Sequence, residues 1–356
     1  MDKVLWALFD LIKQKYNSKG SILKPMDFAQ IIQYFTLDVI TSLALGHPFG
    51  YITDGDDVDK YDYVRTQEEN FPAMNFISAV PALARILTIP SVQRKAIPTV
   101  KDRVGMGKVK AVTAELVSRR FGDKKEVRQD MTQSFISHGL TQGEIADESL
   151  LQILAGSDTS ATILRAMFIS LIGSPQAYTR LQDACIAAEV PLSEIITNAQ
   201  ALEIPYLVAC VREGLRHHPA ATGLLPRVTG PLGEHHPGMP YIPPNTEVGI
   251  CAWNMHRHNT AVYGEDAGMF RPERWLENSS EKLRDMEKAQ DLVFGFGRYR
   301  CMGERIAKVE LHKTLFELFR RFDWAFVDSM KPLEKNMNYG LFQQKGMWVR
   351  VSERVR

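Results

Sequence analysis

Apolar residues recur at helical spacing through most of the first two-thirds of the chain. Residues 1–14, MDKVLWALFDLIKQ, read as an amphipathic helix. The run MDFAQIIQYFTLDVITSLALG, residues 26–46, reads as a second and ends in glycine, a common helix stop. Residues 58–76 and 102–121 carry two more. Between them, ISAVPALARILTIP is apolar and holds two prolines. It reads first as a buried loop and second as a loop that touches a substrate channel or a membrane. The most distinctive prediction is a helix from 142 to 172. Thr141 and Glu144 form a T-x-x-E capping box at its start, and Gly173 and Pro175 stop it. It would span roughly 40 Å at the rise of an α-helix. From Leu150 to Ile172 it is apolar on nearly every side, which marks a buried helix.

Shorter helices are expected at 175–187 and 205–217. From 221 to 277 prolines and glycines become frequent, and runs such as TEVGICAW suit short strands. Residues 301–322 return to helix, with Ala307, Leu311, Leu315, Leu318 and Phe322 on one apolar stripe and Arg305, Lys308 and His312 off it. WAFV and MWVRV near the end are strand candidates. No internal repeat and no βαβ alternation interrupts this picture. The expected fold class is mainly α with small β-sheets, in one domain over 1–356.

Composition narrows the function classes. The 356 residues are 45% hydrophobic and 24% charged, with a formal net charge of +1. No overall field calls for nucleic acid or an anionic membrane. The cysteines are Cys185, Cys210, Cys251 and Cys301, with no C-x-x-C pair, so a reducing compartment is expected rather than a disulfide scaffold. No segment reaches the roughly 20 apolar residues of a membrane span. The best, YFTLDVITSLALG, is broken by Asp38. No transmembrane segment and no signal peptide are therefore expected, and the chain begins inside structure.

The candidate chemistry centres on residues 294–303, FGFGRYRCMG. A lone cysteine is by default a structural thiol. Cys301, however, stands among Gly295, Gly297, Gly303 and two arginines rather than among apolar residues. Glycines at that density let a backbone approach something flat or bulky, and arginines suit an anionic group. A dinucleotide loop lacks its third glycine, where Arg300 stands. A nucleophilic cysteine needs a base, and His312 lies eleven residues along a helix axis. Zinc needs several ligands close together. A haem iron needs only one axial protein ligand, and a helix N-terminus behind the sulfur would stabilise its thiolate.

This stretch resembles the haem-binding loop of the cytochrome P-450 monooxygenases, F-x-x-G-x-R-x-C-x-G. Phe294, Gly297, Cys301 and Gly303 stand in register, with Ala307 one turn on. Tyr299 stands where the family usually has the arginine that holds a haem propionate; Arg298 or Arg300 would substitute. AGSDTS at 155–160 resembles the family's oxygen-activating segment. There Ala155 and Gly156 leave room for dioxygen, Thr159 bonds the oxygen and Asp158 relays protons. The bland alternative has Thr159 bonding back to its own helix and Asp158 facing solvent. Glu213, Arg216 and Arg274, in REGLRHHP and FRPERW, match the family's buried ionic triad. Arg227 in LLPRV matches a propionate partner.

The resemblance covers essentially the whole chain and implies a specific chemistry. Haem b on Cys301 would insert one oxygen atom from O2 into a small apolar substrate. Electrons would come from NADPH through a separate reductase that docks near Arg298, Arg300, Arg305 and Lys308. Substrate walls would come from residues 72–90, Leu224 and Leu225. The texture of the loop is similar to fungal members of the pisatin demethylase-like group. Relative to the family, the chain is expected to lack the N-terminal anchor, the first helices and part of the main small sheet. Full-length relatives sit on the endoplasmic reticulum membrane; without the anchor this chain is expected in the cytosol or at a membrane periphery. Two other classes remain at this level: a haem-binding protein without turnover, and a helical remnant without haem.

Overall fold

The computed structural model describes residues 1–55, 58–92, 98–122 and 125–354. Its frame is a set of packed helices: α1 (Asp2–Leu11), α2 (Phe28–Leu45), α3 (Tyr63–Ala79), α4 (Gly105–Ser118), α5 (Gln142–Ile172), α6 (Pro175–Ala187), α7 (Pro205–His217) and α8 (Glu304–Arg321). Shorter helical turns lie between them. One apolar cluster runs from Val4 to Val351 and draws on every one of these helices; from α3 it takes Tyr63, at the helix start.

Local sequence explains the boundaries. α2 starts where the Asp27 carboxylate accepts the Ala29 and Gln30 amides at 3.0 and 3.4 Å. It stops at Gly46, whose φ of +72° suits glycine. The long helix α5 begins with the expected capping box: the Thr141 amide donates to Glu144 at 2.8 Å, and the Glu144 amide donates to Thr141 Oγ1 at 3.4 Å. At 31 residues it is about 46 Å long. α2 and α5 lie against each other along much of their length.

Asp38, which interrupts the apolar pattern of α2, is fully buried and has a defined task. Its carboxylate accepts the backbone amides of Gly50, Tyr51, Ile52 and Thr53 at 2.8–3.1 Å. Four donors satisfy a charge that burial alone would forbid. α2 is also the one described helix that by length and composition could cross a membrane. In this fold most of it is buried against the other helices.

Three small antiparallel sheets complete the molecule. β1 (Met26–Asp27), β7 (Trp348–Glu353) and β4 (Phe322–Phe326) form the first, with β7 central and Phe322 opposite Glu353. β2 (Arg227–Val228) pairs with β3 (Glu247–Val248), and β5 (Lys335–Asn338) with β6 (Phe342–Lys345).

Several expectations need correction. The apolar segment 77–90 is not a loop throughout: its first residues finish α3 and a short helix follows at Pro81–Ile86. TEVGICAW is strand only at Glu247–Val248, because Ala252 already opens a helix. α5 is buried all round only in its second half; in the first, Leu151 is 55% exposed and Ala155 is open too. The helix of the cysteine loop also begins later than expected, at Glu304, and its second half is buried on every side rather than along one stripe.

Candidate active site

The loop 294–303 closes on itself. The Cys301 amide donates to the Phe294 carbonyl at 2.7 Å. Gly295 and Gly297 take φ of +75° and +66°, which disfavours any side chain there. A side chain at Gly297 would meet nothing within 4 Å, so that face of the loop is open. The Cys301 thiol is exposed and lies 3.7 Å from where a Cβ of Gly303 would be, at the mouth of α8. A cleft of about 450 Å³ is lined by Arg300, Cys301, Met302, Glu304 and Arg305. Phe296 and Met302 are largely exposed, as are Leu224 and Val228.

The basic residues of this loop fall into two groups. Arg300 is held by Glu304 at 2.7 and 3.0 Å and by Asp291 at 3.7 Å; Lys308 bridges the same two carboxylates. The Arg300 and Lys308 contacts hold the Glu304 carboxyl down at about 2. Lys308 Nζ also lies 5.3 Å from the centre of the half-buried Phe294 ring. Arg298 and Arg305 form no ion pair among the described residues. Arg227 lays its guanidinium 4.5 Å over the Tyr299 ring and donates to the Pro226 carbonyl at 2.8 Å. Tyr299, the departure from the family pattern, therefore shares its place with an arginine from β2. Ala307 is half-buried one turn into α8, its amide bonded to the Gly303 carbonyl.

On α5, Thr159 Oγ1 donates to the Ala155 carbonyl at 2.8 Å, the back-bonding that its position in a helix favours. Its lone pairs remain available as acceptors. Gly156 faces α2 rather than open space. A Cβ there would come within 2.9 Å of Ile40 Cγ1, so this glycine lets α2 and α5 approach each other. The open small residue is Ala155. Asp158 does not simply face solvent. It lines a small cavity with Gln33, Gln67, Glu68 and Arg165. Burial raises its carboxyl above the ordinary range, against Arg165 and the amides of Gln33 and Gln67.

Glu213, Arg216 and Arg274 converge, each fully buried. Arg216 grips Glu213 with two bonds of 2.8 Å, and Arg274 Nε donates to the same carboxylate at 3.0 Å. Trp275 Nε1 and the Arg271 amide complete its shell at 2.9 and 2.8 Å. Both guanidiniums also donate to backbone carbonyls between His256 and Met269, and Arg274 Nη1 pairs with the Asp266 carboxylate at 2.9 Å. The set ties α7 to the irregular segment 256–275.

Sequence reasoning missed the partners of Asp158. One was legible: Arg165 follows it by seven residues, two helical turns, on the same face of α5. It donates to Gln33 Oε1 at 2.7 Å and to the Ala29 carbonyl at 2.7 and 3.1 Å. Gln33, Gln67 and Glu68 come from α2 and α3, and no local pattern announces their meeting. Glu310 was also missed; it is buried on α8 with Oε1 unpartnered.

Residues 1–349 match the family profile described as cytochrome P-450. The chain is 37% identical to the cytochrome P-450 monooxygenase ABA1 of Pyricularia oryzae, over all of this chain and 70% of that protein. It is 34% identical to aba1 of Botryotinia fuckeliana over 98% of this chain and 68% of the other. With gsfF of Penicillium aethiopicum it shares 31% identity over 92% and 66%. Fold, motif order and these relatives agree: the chain belongs to the cytochrome P-450 family of haem monooxygenases.

Proposed function

We propose that this protein inserts one oxygen atom from O2 into a small, largely apolar organic molecule, in fungal secondary metabolism or detoxification. NADPH supplies the electrons through a separate reductase. The observation that carries the reading is the exposed Cys301 thiol in a glycine-opened loop at the mouth of α8. The donor set suits haem b: one soft thiol, a backbone able to lie against a flat ring, exposed apolar side chains around it, and free or lightly held arginines for anionic tails. Bound there, haem would supply oxygen activation, with the thiolate favouring O–O cleavage.

The chain's own residues have these parts. Cys301, exposed at the mouth of α8, would hold the iron. Gly295 and Gly297 would let the loop lie against the ring, and Phe294, Gly303 and Ala307 would pack beside it. Arg227 and Arg298 hold the propionates, because Arg300 is already neutralised by Glu304 and Asp291. Ala155 leaves space on the α5 side. Thr159 would offer its hydroxyl beside that space, and Asp158 would hold a proton for delivery. Leu224, Leu225 and the apolar residues of 72–90 wall the substrate. Glu213, Arg216 and Arg274 fix the segment beneath the loop. Arg305, exposed and unpaired, faces an acidic reductase. The endoplasmic reticulum membrane, where members of the family are commonly found, suits that partner.

The test uses the haem-loaded protein with NADPH, a fungal reductase and ¹⁸O2, on a panel of small terpene and alkyl-aromatic hydrocarbons. One labelled oxygen atom per product molecule is expected. Product oxygen drawn only from water would overturn the proposal.

A further inference from the structure

A cavity of about 20 Å³ lies where α2, α3, α5 and the β5–β6 hairpin meet. That is room for one water molecule. Gln33, Gln67, Glu68, Asp158, Arg165 and Gln344 are among its walls. Two of them, Gln67 and Gln344, have a buried side-chain oxygen with no hydrogen-bond partner. The Gln344 amide nitrogen Nε2 is turned elsewhere, toward His218 and Asn336. Buried acceptors beside a water-sized space are what a structural water satisfies.

The two carboxyls of this cavity face different worlds. Asp158 is on the inner wall, beside Thr159. Glu68 is on the outer wall, its side chain 26% exposed and paired with Lys345. Arg165, also on the wall, donates through Nε and Nη2 to Gln33 and the Ala29 carbonyl, and its charge favours the ionised form of both carboxyls. We infer that Glu68 is the proton inlet of the site, passing protons from bulk solvent through one cavity water to Asp158. The inference rests on the proposed reading of Asp158 as a proton relay.

The transfer balances. Asp158 gives up its proton toward Thr159 and becomes a carboxylate. The water protonates Asp158 and takes a proton from the Glu68 carboxyl, which recovers one from solvent. One proton crosses, no electrons move, and each group returns to its starting state. Burial raises both carboxyls above their ordinary range, against Lys345 and Arg165 at Glu68. The other titratable groups around them are Tyr63 on α3, Asp27 at the head of α2 and His218 beyond Gln344.

A purely structural role would tie α3 to the hairpin through Glu68 and Lys345. Five variants separate the roles: Glu68→Gln, Glu68→Asp, Lys345→Gln, Gln67→Leu and Asp158→Asn. Without turnover, the infrared carboxyl band lost in Asp158→Asn is titrated in each folded variant. Glu68→Gln is expected to lower its midpoint by about half a pH unit, since a negative neighbour is gone; an unmoved midpoint overturns the inlet. In turnover with the reductase, Glu68→Gln and Gln67→Leu are expected to cut kcat about tenfold. Both should raise the solvent deuterium isotope effect, and Glu68→Asp should recover part of the rate. Lys345→Gln keeps the carboxyl and should lose less than twofold. Equal losses in Glu68→Gln and Lys345→Gln would assign the pair to structure and overturn the inference, as would a wild-type isotope effect in Gln67→Leu. Unchanged Glu68→Gln beside a slowed Asp158→Asn sinks the inlet alone. An unchanged Asp158→Asn sinks the relay reading beneath it.

Discussion

Glu310 shows what a single residue can do to this fold. It is 3% exposed, and burial lifts its carboxyl to about 8, with only the Ser160 hydroxyl and the chain's amino group pulling it down. The native state therefore keeps a proton that the unfolded chain releases near its ordinary value of 4.5. Stability from this group is fully present below that value and is lost as pH rises toward 8, by on the order of a few kcal/mol. Glu310→Gln is expected to flatten that loss. Thermal midpoints at pH 5 and pH 8 should differ less in the variant than in the parent, and an equal difference would contradict the account. His217, His218 and His256 act in the opposite direction. Burial depresses them to about 4, 3 and 4, so their stability is lost as pH falls from 6.5 toward those values. None of this was legible in the sequence, because burial of Glu310 depends on how α8 meets α5. The substitutes for the missing propionate arginine are also a residue-scale matter. Arg298→Ala should weaken haem retention severalfold in a competition with apomyoglobin, whereas Arg300→Ala, already paired, should not.

At the scale of elements, the sequence was most informative where a helix end carries its own chemistry. Thr141 with Glu144, Pro175 and Pro205 mark boundaries that the structure reproduces to the residue, because capping and proline geometry are local. It was least informative between 221 and 294, where short helices and paired strands depend on distant partners such as the Arg216 and Arg274 donors. Gly156 teaches the same lesson. The motif suggested open space, while the neighbour that uses the missing Cβ, Ile40, comes from another helix. The ionic triad is where one element depends most on another. Removing the carboxylate in Glu213→Ala leaves the buried Arg216 guanidinium without an anion and Arg274 with Asp266 alone, and should cost about 3–5 kcal/mol. Urea unfolding followed by circular dichroism measures this; a loss below about 1 kcal/mol, the level of an exposed pair, would contradict it.

For the whole molecule, four motifs in order made the family legible before any coordinate was known, because each carries chemistry at fixed spacing. The architecture between the motifs came from periodicity, and α2 and α5 met as their long apolar faces require. Hidden from sequence was the assembly of Gln33, Glu68, Asp158 and Arg165, drawn from three helices around one small cavity. Charge on the surface belongs to this scale as well. If Arg305 meets an acidic reductase, Arg305→Glu should slow reduction by the reductase several-fold at low salt, with the difference shrinking as salt rises. A salt-independent effect, or none, would place the docking face elsewhere. The central claim is that Cys301 gives its thiolate to haem iron, and the ferrous–CO difference spectrum of the haem-loaded protein tests it most directly. A strongly red-shifted Soret band that disappears in Cys301→Ala is the predicted result. Failure to take up haem, or an unshifted band that Cys301→Ala leaves unchanged, would contradict the claim.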